Sequence, residues 1–482
     1  MEIPANGTRS LSRAGANVAA VADPSAIVNN PAGLAGIRGA SLLFDSNLVV
    51  PDLCFQRYGT YPGEPGPNTY AGQPYPRVCR MNRGTFYIPM VAATYDFGLD
   101  DWTFAIGGYG PHSPSGRKYF PGQVTVRDSL GHPVRAPGPT RYQVLSQDVL
   151  VIFFTAAAAW RPVPWLDVGI ALQPTISDAK LSMNVPYNAS ILDPDNDIFF
   201  AVHTKAFAFT ALFGTKIRPS RNIEIGLSAW LPIHTVSKGD ATIQLPAGLL
   251  GFAGPLVMFT QDTEVDMVSD LPLVLRSGIR YRWLLGNAPE AFEIADLELD
   301  FQWERWSGVR SIDTQVHGEV LGEPLALFQL AHFYKDTISL RLGSTFTIPR
   351  LLFGGRLGFS LGLYYDSAAS PLEYTRLDYQ AFSLIGFGAG LFYRIRGMDF
   401  HLAFSYVVGG SGWPWNFDRK RKVERSCITP VDPFNSPPLE RCDPSGDAWR
   451  EESDIARGET ELSYFVASLG FTVYLDDLVG RK

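Results

Sequence analysis

The 482-residue chain has no uninterrupted apolar run long enough to cross a bilayer as a helix. A mean hydropathy of +0.00 agrees, and a bundle of transmembrane helices is excluded. Charge is scarce. Asp, Glu, Lys and Arg make up 18% of residues, below the quarter usual in soluble domains. The balance is −7, which argues against a nucleic-acid partner. Met1 is followed by EIPANG, with neither a basic region nor an apolar one, so an exported protein is read here in its mature form. Cysteine is limited to four residues in two local pairs, without the C-x-x-C spacing of a zinc or redox site. Two loop-closing disulfides, Cys54–Cys79 and Cys427–Cys442, formed in an oxidising compartment, are the favoured reading. Four free thiols are the alternative. Catalytic signatures are missing too. No Gly-x-Ser-x-Gly elbow or phosphate loop occurs. His112 and His132 share a loop without metal-ligand spacing. His401 and Ser405 share a strand face but stand too far apart for a nucleophile–base hydrogen bond. No catalytic residue, metal or cofactor is expected, and an enzyme is the disfavoured class.

What is abundant is aromatic residues (13%), glycine (46) and proline (36), arranged with period two from about Ser41 onward. In RLGFSLGLYYDS, Leu357, Phe359, Leu361, Leu363 and Tyr365 share one face; Gly358, Ser360, Gly362 and Tyr364 share the other. In IEIGLSAWLPIH, Ile223, Ile225, Leu227, Leu231 and Ile233 oppose Glu224, Gly226, Ser228, Trp230 and His234. A soluble sandwich and an outer-membrane barrel both produce such alternation. Three features favour the barrel. Many runs reach the roughly 9–11 residues that a tilted strand needs to cross a bilayer. Expected strands lie near 39–51, 85–97, 101–111, 147–161, 165–187, 199–218, 222–245, 262–284, 292–318, 334–347, 355–366, 379–395, 398–409 and 460–475. That is about fourteen, joined alternately by short turns and by long loops, notably 52–84, 112–146 and 410–459. Both cysteine pairs fall on the long-loop side. Finally, Arg276, Arg280 and Arg282 in one strand face Glu298, Asp300 and Glu304 in the next, a charge ladder suited to a lumen and not to lipid. Trp102, Trp160, Trp165, Trp283 and Trp306 cluster near strand ends, as interfacial aromatics do.

The first forty residues do not alternate. GTRSLSRAGANVAAVADPSAIVNNPAGLAGI is rich in Ala and Gly, with Asp23-Pro24 and Asn30-Pro31 as turn starters. A short helix over Ala14–Ala22, then a turn, is the coarse reading; a disordered leader is the alternative. This block resembles the FadL family of outer-membrane long-chain fatty-acid and hydrocarbon transport proteins. The resemblance rests on Gly7, Arg13-Ala14-Gly15-Ala16, Asp23-Pro24-Ser25-Ala26 and Asn30-Pro31-Ala32-Gly33-Leu34. It continues in order through YIPMVAATYDF, FAIGGYGPHSPSG, EIGLSAWLPIHTVSKGDATIQLP and LPLVLRSGIRYRW.

The resemblance implies an all-β fold: a fourteen-stranded antiparallel transmembrane barrel (39–482) whose lumen is plugged by an N-terminal hatch (1–38) containing the Asn30, Pro31, Ala32 turn. It implies a protein of the bacterial outer membrane, a monomer in contact with outer-membrane lipid. Its ligand is a long-chain fatty acid or other hydrophobic small molecule. That ligand is captured by extracellular loops, held in the lumen and released sideways at a kinked third strand. Gly107, Gly108, Gly110 and Pro111 supply a kink, or else simply end the strand. Leu249, Leu250, Phe252, Leu256, Val257, Met258 and Phe259 form an apolar capture loop, or a loop folded onto its own barrel. Arg276, Arg280 and Arg341 face the lumen and are candidates for a carboxylate headgroup, unless they only pair with Glu298 or Asp300. The rival readings are a passive barrel or polar-solute porin and, below these, a lipid-modifying enzyme.

Overall fold

A computed structural model describes residues 6–81, 86–110, 120–186, 194–245, 263–286, 291–320, 323–351, 354–379, 381–428, 431–432, 434–435, 440–442 and 455–476. Its strands are β1 (Ser41–Arg57), β2 (Phe86–Tyr95), β3 (Trp102–Tyr109), β4 (Ser146–Val163), β5 (Leu166–Pro186), β6 (Asp197–Ile217), β7 (Ile223–Trp230 and Ile233–Gln244) and β8 (Glu264–Leu271 and Val274–Leu285). They continue with β9 (Phe292–Glu304 and Ser311–His317), β10 (Phe328–Ala331 and Thr337–Leu351), β11 (Gly355–Asp366), β12 (Ser383–Ile395), β13 (Met398–Gly410) and β14 (Gly458–Tyr474). Each pairs antiparallel with its neighbours in sequence. β14 returns to β1, from Ser41↔Tyr474 to Arg57↔Gly458, and closes a fourteen-stranded barrel.

The alternation explains the two surfaces. Phe359, Leu361 and Leu363 of β11 are exposed on the outside, while Gly358, Ser360, Gly362 and Tyr364 are buried toward the lumen. The same outward apolar rows recur around the wall, as Phe207 and Phe209, Leu297 and Leu299, and Phe400 and Phe404 show. A surface of this kind is stable only against lipid, which places the protein in the bacterial outer membrane. At the short-turn end, Trp102 and Trp160 stack with ring centres 5.6 Å apart on the outer face, the site expected of an interfacial girdle. The two-residue turn Arg396-Gly397 has both residues at positive φ, as a hairpin of type I′ requires.

Several expectations need correction. β1 runs to Arg57 and not to 51, because its outer end pairs with β14 and with Val78–Cys79. The face assigned to Ile233 and His234 is inverted: Ile233 is buried and His234 exposed. Strand pairing breaks at Leu231-Pro232, opposite a matching break at Pro272-Leu273. A proline has no N–H to continue a ladder, and the alternation restarts out of phase. Arg305 lies just past the end of the β9 segment at Glu304, where a 3-10 turn over Trp306–Gly308 follows.

Ala14–Ala22 is not a helix. The helices here are α1 (Thr8–Ser12) and α2 (Ala26–Asn29), with a 3-10 turn over Pro31–Leu34. Ala14 (φ 53°) and Gly15 (φ 84°) turn left-handed and end α1. The N–H groups of Asn17, Val18, Ala19 and Ala20 then bond to carboxylates of β9 and not to helix carbonyls.

Candidate functional site

The N-terminal segment lies inside the barrel, and its residues from Leu11 to Leu34 are almost all buried. Glycines on the inward faces make the room. A Cβ placed on Gly169 of β5 would sit 2.5 Å from Ala32 N, and one on Gly343 of β10 would sit 2.8 Å from Ala16 Cβ. Gly214, Gly226, Gly362 and Gly388 likewise meet the segment's backbone or side chains. This belt was visible in the alternation as small inward residues, yet its purpose was missed because the segment it accommodates is remote in sequence.

Polar contacts then hold the segment. Arg13 donates to Asp296 (2.7 Å) and Glu298 (3.0 Å) of β9. Glu298 also accepts from Ala19 N (2.6 Å), and Asp300 accepts from Asn17 N and Val18 N. Burial alone would lower the pKa of the Arg13 guanidinium; the two carboxylates outweigh it and hold it above its ordinary value. Asn30 donates to Val18 O (2.9 Å) and Thr215 O (3.1 Å) and accepts from Ala32 N, so the Asn30-Pro31-Ala32 turn is tied to β6. Thr8 bonds Asp45 of β1 and Ser468 of β14.

On the long-loop side of this segment is a cavity of about 290 Å³. Its floor is aromatic. Tyr109 and Phe153 stack at 5.0 Å, and Phe153 meets Trp230 at 5.7 Å. Their polar ends are pinned on one buried side chain: Gln173 donates to the Tyr109 hydroxyl (2.9 Å) and accepts from Trp230 Nε1 (2.8 Å). Gln173 also donates to Ile27 O (3.2 Å), so the floor rests on α2. Val149, Val151, Ala208, Ile233, Met267, Val274, Ile312, Phe382 and Leu384 line the walls. The ionisable lining side chains include Asp270, Glu304, Asp366 and Asp378; among the described residues no Lys, Arg or His lines it.

The three expected lumen cations are therefore not brought together. Arg276 donates to Gln302 (2.8 Å). Arg341 lies behind Asp366 (3.3 Å). Arg280 sits below the segment, bonded to Glu224, Glu293 and Asp296. The cross-strand register of Arg280↔Glu298 is as the alternation implied. The inserted segment has taken Glu298 and Asp300 for itself, so the partners differ. Arg280 lines a second opening of about 550 Å³ at the short-turn mouth, together with Arg9, Arg38, Arg161, Lys216, Arg218, Arg282 and Arg394.

Gly107 and Gly108 lie in a regular ladder, Ala92↔Gly107↔Thr155 and Val91↔Gly108↔Phe154, and Gly110 N still reaches Pro89 O (3.2 Å). Pro111 lies outside the described residues, as do Leu249, Leu250, Phe252, Leu256, Val257, Met258 and Phe259. Among the described residues, the β3–β4 ladder stops at Tyr109↔Phe153, whereas β4 runs on to Ser146 paired only with β5. Both disulfides are formed, Cys54–Cys79 and Cys427–Cys442. His401 stacks on Phe392 and Ser405 donates to Phe387 O (2.9 Å), so the two do not form a nucleophile and its base.

No family model and no curated protein matches the sequence. Solved structures match its fold along the whole chain. A FadL homologue from Pseudomonas aeruginosa aligns with a TM-score of 0.68 and 15% identity, covering 99% of both chains. The toluene transporter TodX of P. putida aligns at 0.63 and 13%, covering 98% of this chain and 99% of its own. The toluene transporter TbuX of Ralstonia pickettii aligns at 0.62 and 14%, covering 98% of both. At these identities the likeness establishes a shared fold.

Proposed function

We propose that the protein takes up small hydrophobic compounds across the outer membrane, and that the cavity over the N-terminal segment is where they are held. The observation that carries this reading is the cavity itself: Phe153 and Trp230 line its floor, and the Trp230 N–H is satisfied by Gln173, in an otherwise largely apolar chamber. A greasy solute gains roughly 0.8 kcal/mol per buried methylene there. The transport of toluene by two proteins of this fold supports it. The N-terminal segment serves as a hatch that closes the lumen to water and polar solutes.

The chamber's size and lining narrow the ligand. A volume of about 290 Å³ is at the low end for small-molecule sites and suits a compact ligand better than a fully enclosed long acyl chain. Among the described residues the charged groups lining the chamber are carboxylates, and the cations paired with Asp366 and Asp378, Arg341 and Arg376, lie behind them, so an incoming carboxylate meets like charge first. The reading is therefore an uncharged hydrophobe ahead of a fatty acid. Release sideways fits a solute that avoids water. The outer end of β3 is one place for it, where the edge of β4 beyond Phe153 also lines the chamber.

Equilibrium binding to the detergent-purified protein tests this. Octanol should bind saturably and at least ten-fold more tightly than octanoate, and Val274→Asp should abolish binding. Equal affinities, or tighter binding of the acid, would contradict the charge argument; no saturable binding of either would remove the function.

A further inference from the structure

A second break in the wall, between β6 and β7, carries an inference of its own. The inner ladder of these strands ends at Trp230↔Leu212 and the outer one begins at Lys238↔Lys205. Between them β7 has seven residues, Leu231–Ser237, against six on β6, Ala206–Ala211. One backbone bond, Leu231 N to Ala211 O (2.9 Å), and one from the Thr210 hydroxyl to Leu231 O (2.8 Å) bridge the lower edge. Above them the ladder is interrupted among the described residues. The other edges are intact: β6 pairs with β5 without interruption from Leu166↔Ile217 to Pro186↔Asp197, and Ile233–Ser237 pair with β8.

Unpaired strand edges at membrane depth are tolerated only where they line a cavity or are covered by protein. This one lines the chamber: Ala208, Ile233, Thr235 and Ser237 belong to both. Outside, the rim is apolar except at His234. Phe207 is 72% exposed, Phe209 55% and Val236 44%. Just above it the surface turns polar, with His203 on Asp178 (3.0 Å); within the stretch, His234 on the outer face beside Val236 is held by Asp270 (2.6 Å). The break thus sits directly beneath the polar collar, at the level of the outer leaflet.

We propose that this interruption is a lateral window through which a hydrophobic solute exchanges between the outer leaflet and the chamber. It is separate from the end of β3, on another flank of the same cavity. The proposal rests on the chamber being the binding site, and it adds the route by which a solute dissolved in lipid reaches that site without crossing water. Pro232, with no N–H to give, and the one-residue excess of β7 keep the ladder from closing.

Continuing the outer register sets Phe207 opposite Val236 across the gap. The native cysteines are all in disulfides, so a thiol reagent addresses only introduced ones. In the variant Phe207→Cys/Val236→Cys, a short bifunctional maleimide staples the window. Release of bound octanol from reconstituted protein into vesicle lipid should slow at least ten-fold on stapling. Its equilibrium affinity should stay within two-fold, and the unstapled variant should behave as wild type. Unchanged release with unchanged affinity overturns the window and leaves the chamber standing. Absence of saturable octanol binding by the wild type overturns both. As an independent check on wild-type protein in lipid, a diazirine-tagged octanol should label residues 206–211 and 231–237; labelling confined to β3 and β4 overturns the window.

Discussion

Arg13 and Glu298, 285 positions apart, meet at 3.0 Å inside the barrel with almost no solvent contact on either side chain. The pair joins the N-terminal segment to the wall, and Glu298 simultaneously accepts the N–H of Ala19. Breaking one side of a buried ion pair strands the other charge, at a cost of roughly 3–5 kcal/mol. Arg13→Ala should therefore loosen the hatch without unfolding the barrel. Hydrogen exchange over residues 14–34 should accelerate at least a hundred-fold, and planar-bilayer conductance should rise. Unchanged protection of the segment would show that Arg13 does not hold it.

The glycine belt makes a separate prediction. Gly169→Val places methyl groups where Ala32 N now lies, so the segment must be displaced, and conductance should rise as it does for Arg13→Ala. Gly108→Ala is the control, because its nearest neighbour would be 3.6 Å away. If the two substitutions behave alike, close packing on the belt is not what positions the hatch.

The barrel was legible because period two is imposed by lipid on one side and a polar lumen on the other, and it persists over long stretches of most strands. Strand positions and the asymmetry of the connections follow from that local grammar, and both disulfides from the local pairing of four cysteines. The interior was legible only in part. Asn30-Pro31-Ala32 does make the turn, but Ala14–Ala22 forms turns and irregular backbone and not a helix, because Glu298 and Asp300 supply acceptors that no local pattern reveals. The same two carboxylates looked like partners for Arg280 and Arg341, which stand beside them in register. Tertiary insertion reassigned them. Gln173, which organises the floor, has no sequence signal beyond being a polar residue on an inward face.

The disulfide between Cys54 and Cys79 ties an outer loop back to β1 across a separation of 25 residues. Closing a loop of that length stabilises by about 3 kcal/mol in the chain-entropy account. Cys54→Ser/Cys79→Ser should leave the barrel folded while residues 58–78 become at least ten-fold more sensitive to protease. Equal sensitivity would mean that the packing of Tyr61 on Tyr70 and Tyr75 suffices.

His332, between the two segments of β10, is wholly buried, stacked on Tyr334 at 4.7 Å and 3.8 Å from Asp378, which also bonds Arg376. Tyr379 meets it edge-on. Burial pushes its pKa down to about 4, against the pull of Asp378. When this segment opens, the imidazole regains an ordinary value near 6.5 and takes up a proton. The open form thus binds more protons between these values, so local stability is fully present above about 6.5 and is lost as pH falls toward 4. Hydrogen exchange at residues 328–336 should accelerate on going from pH 7 to 4.5, after correction for the intrinsic rate. His332→Gln should flatten that response; an identical pH profile in the variant would assign the titration elsewhere.

The central claim is that the chamber over the hatch holds an uncharged hydrophobe. Anomalous diffraction from crystals soaked in 4-bromotoluene tests it most directly. The account predicts a bromine peak inside the chamber, with the ring over Phe153 and Trp230 and against Val274, and its loss in Val274→Asp. Bromine density confined to other sites, or a chamber peak that survives Val274→Asp, would contradict it.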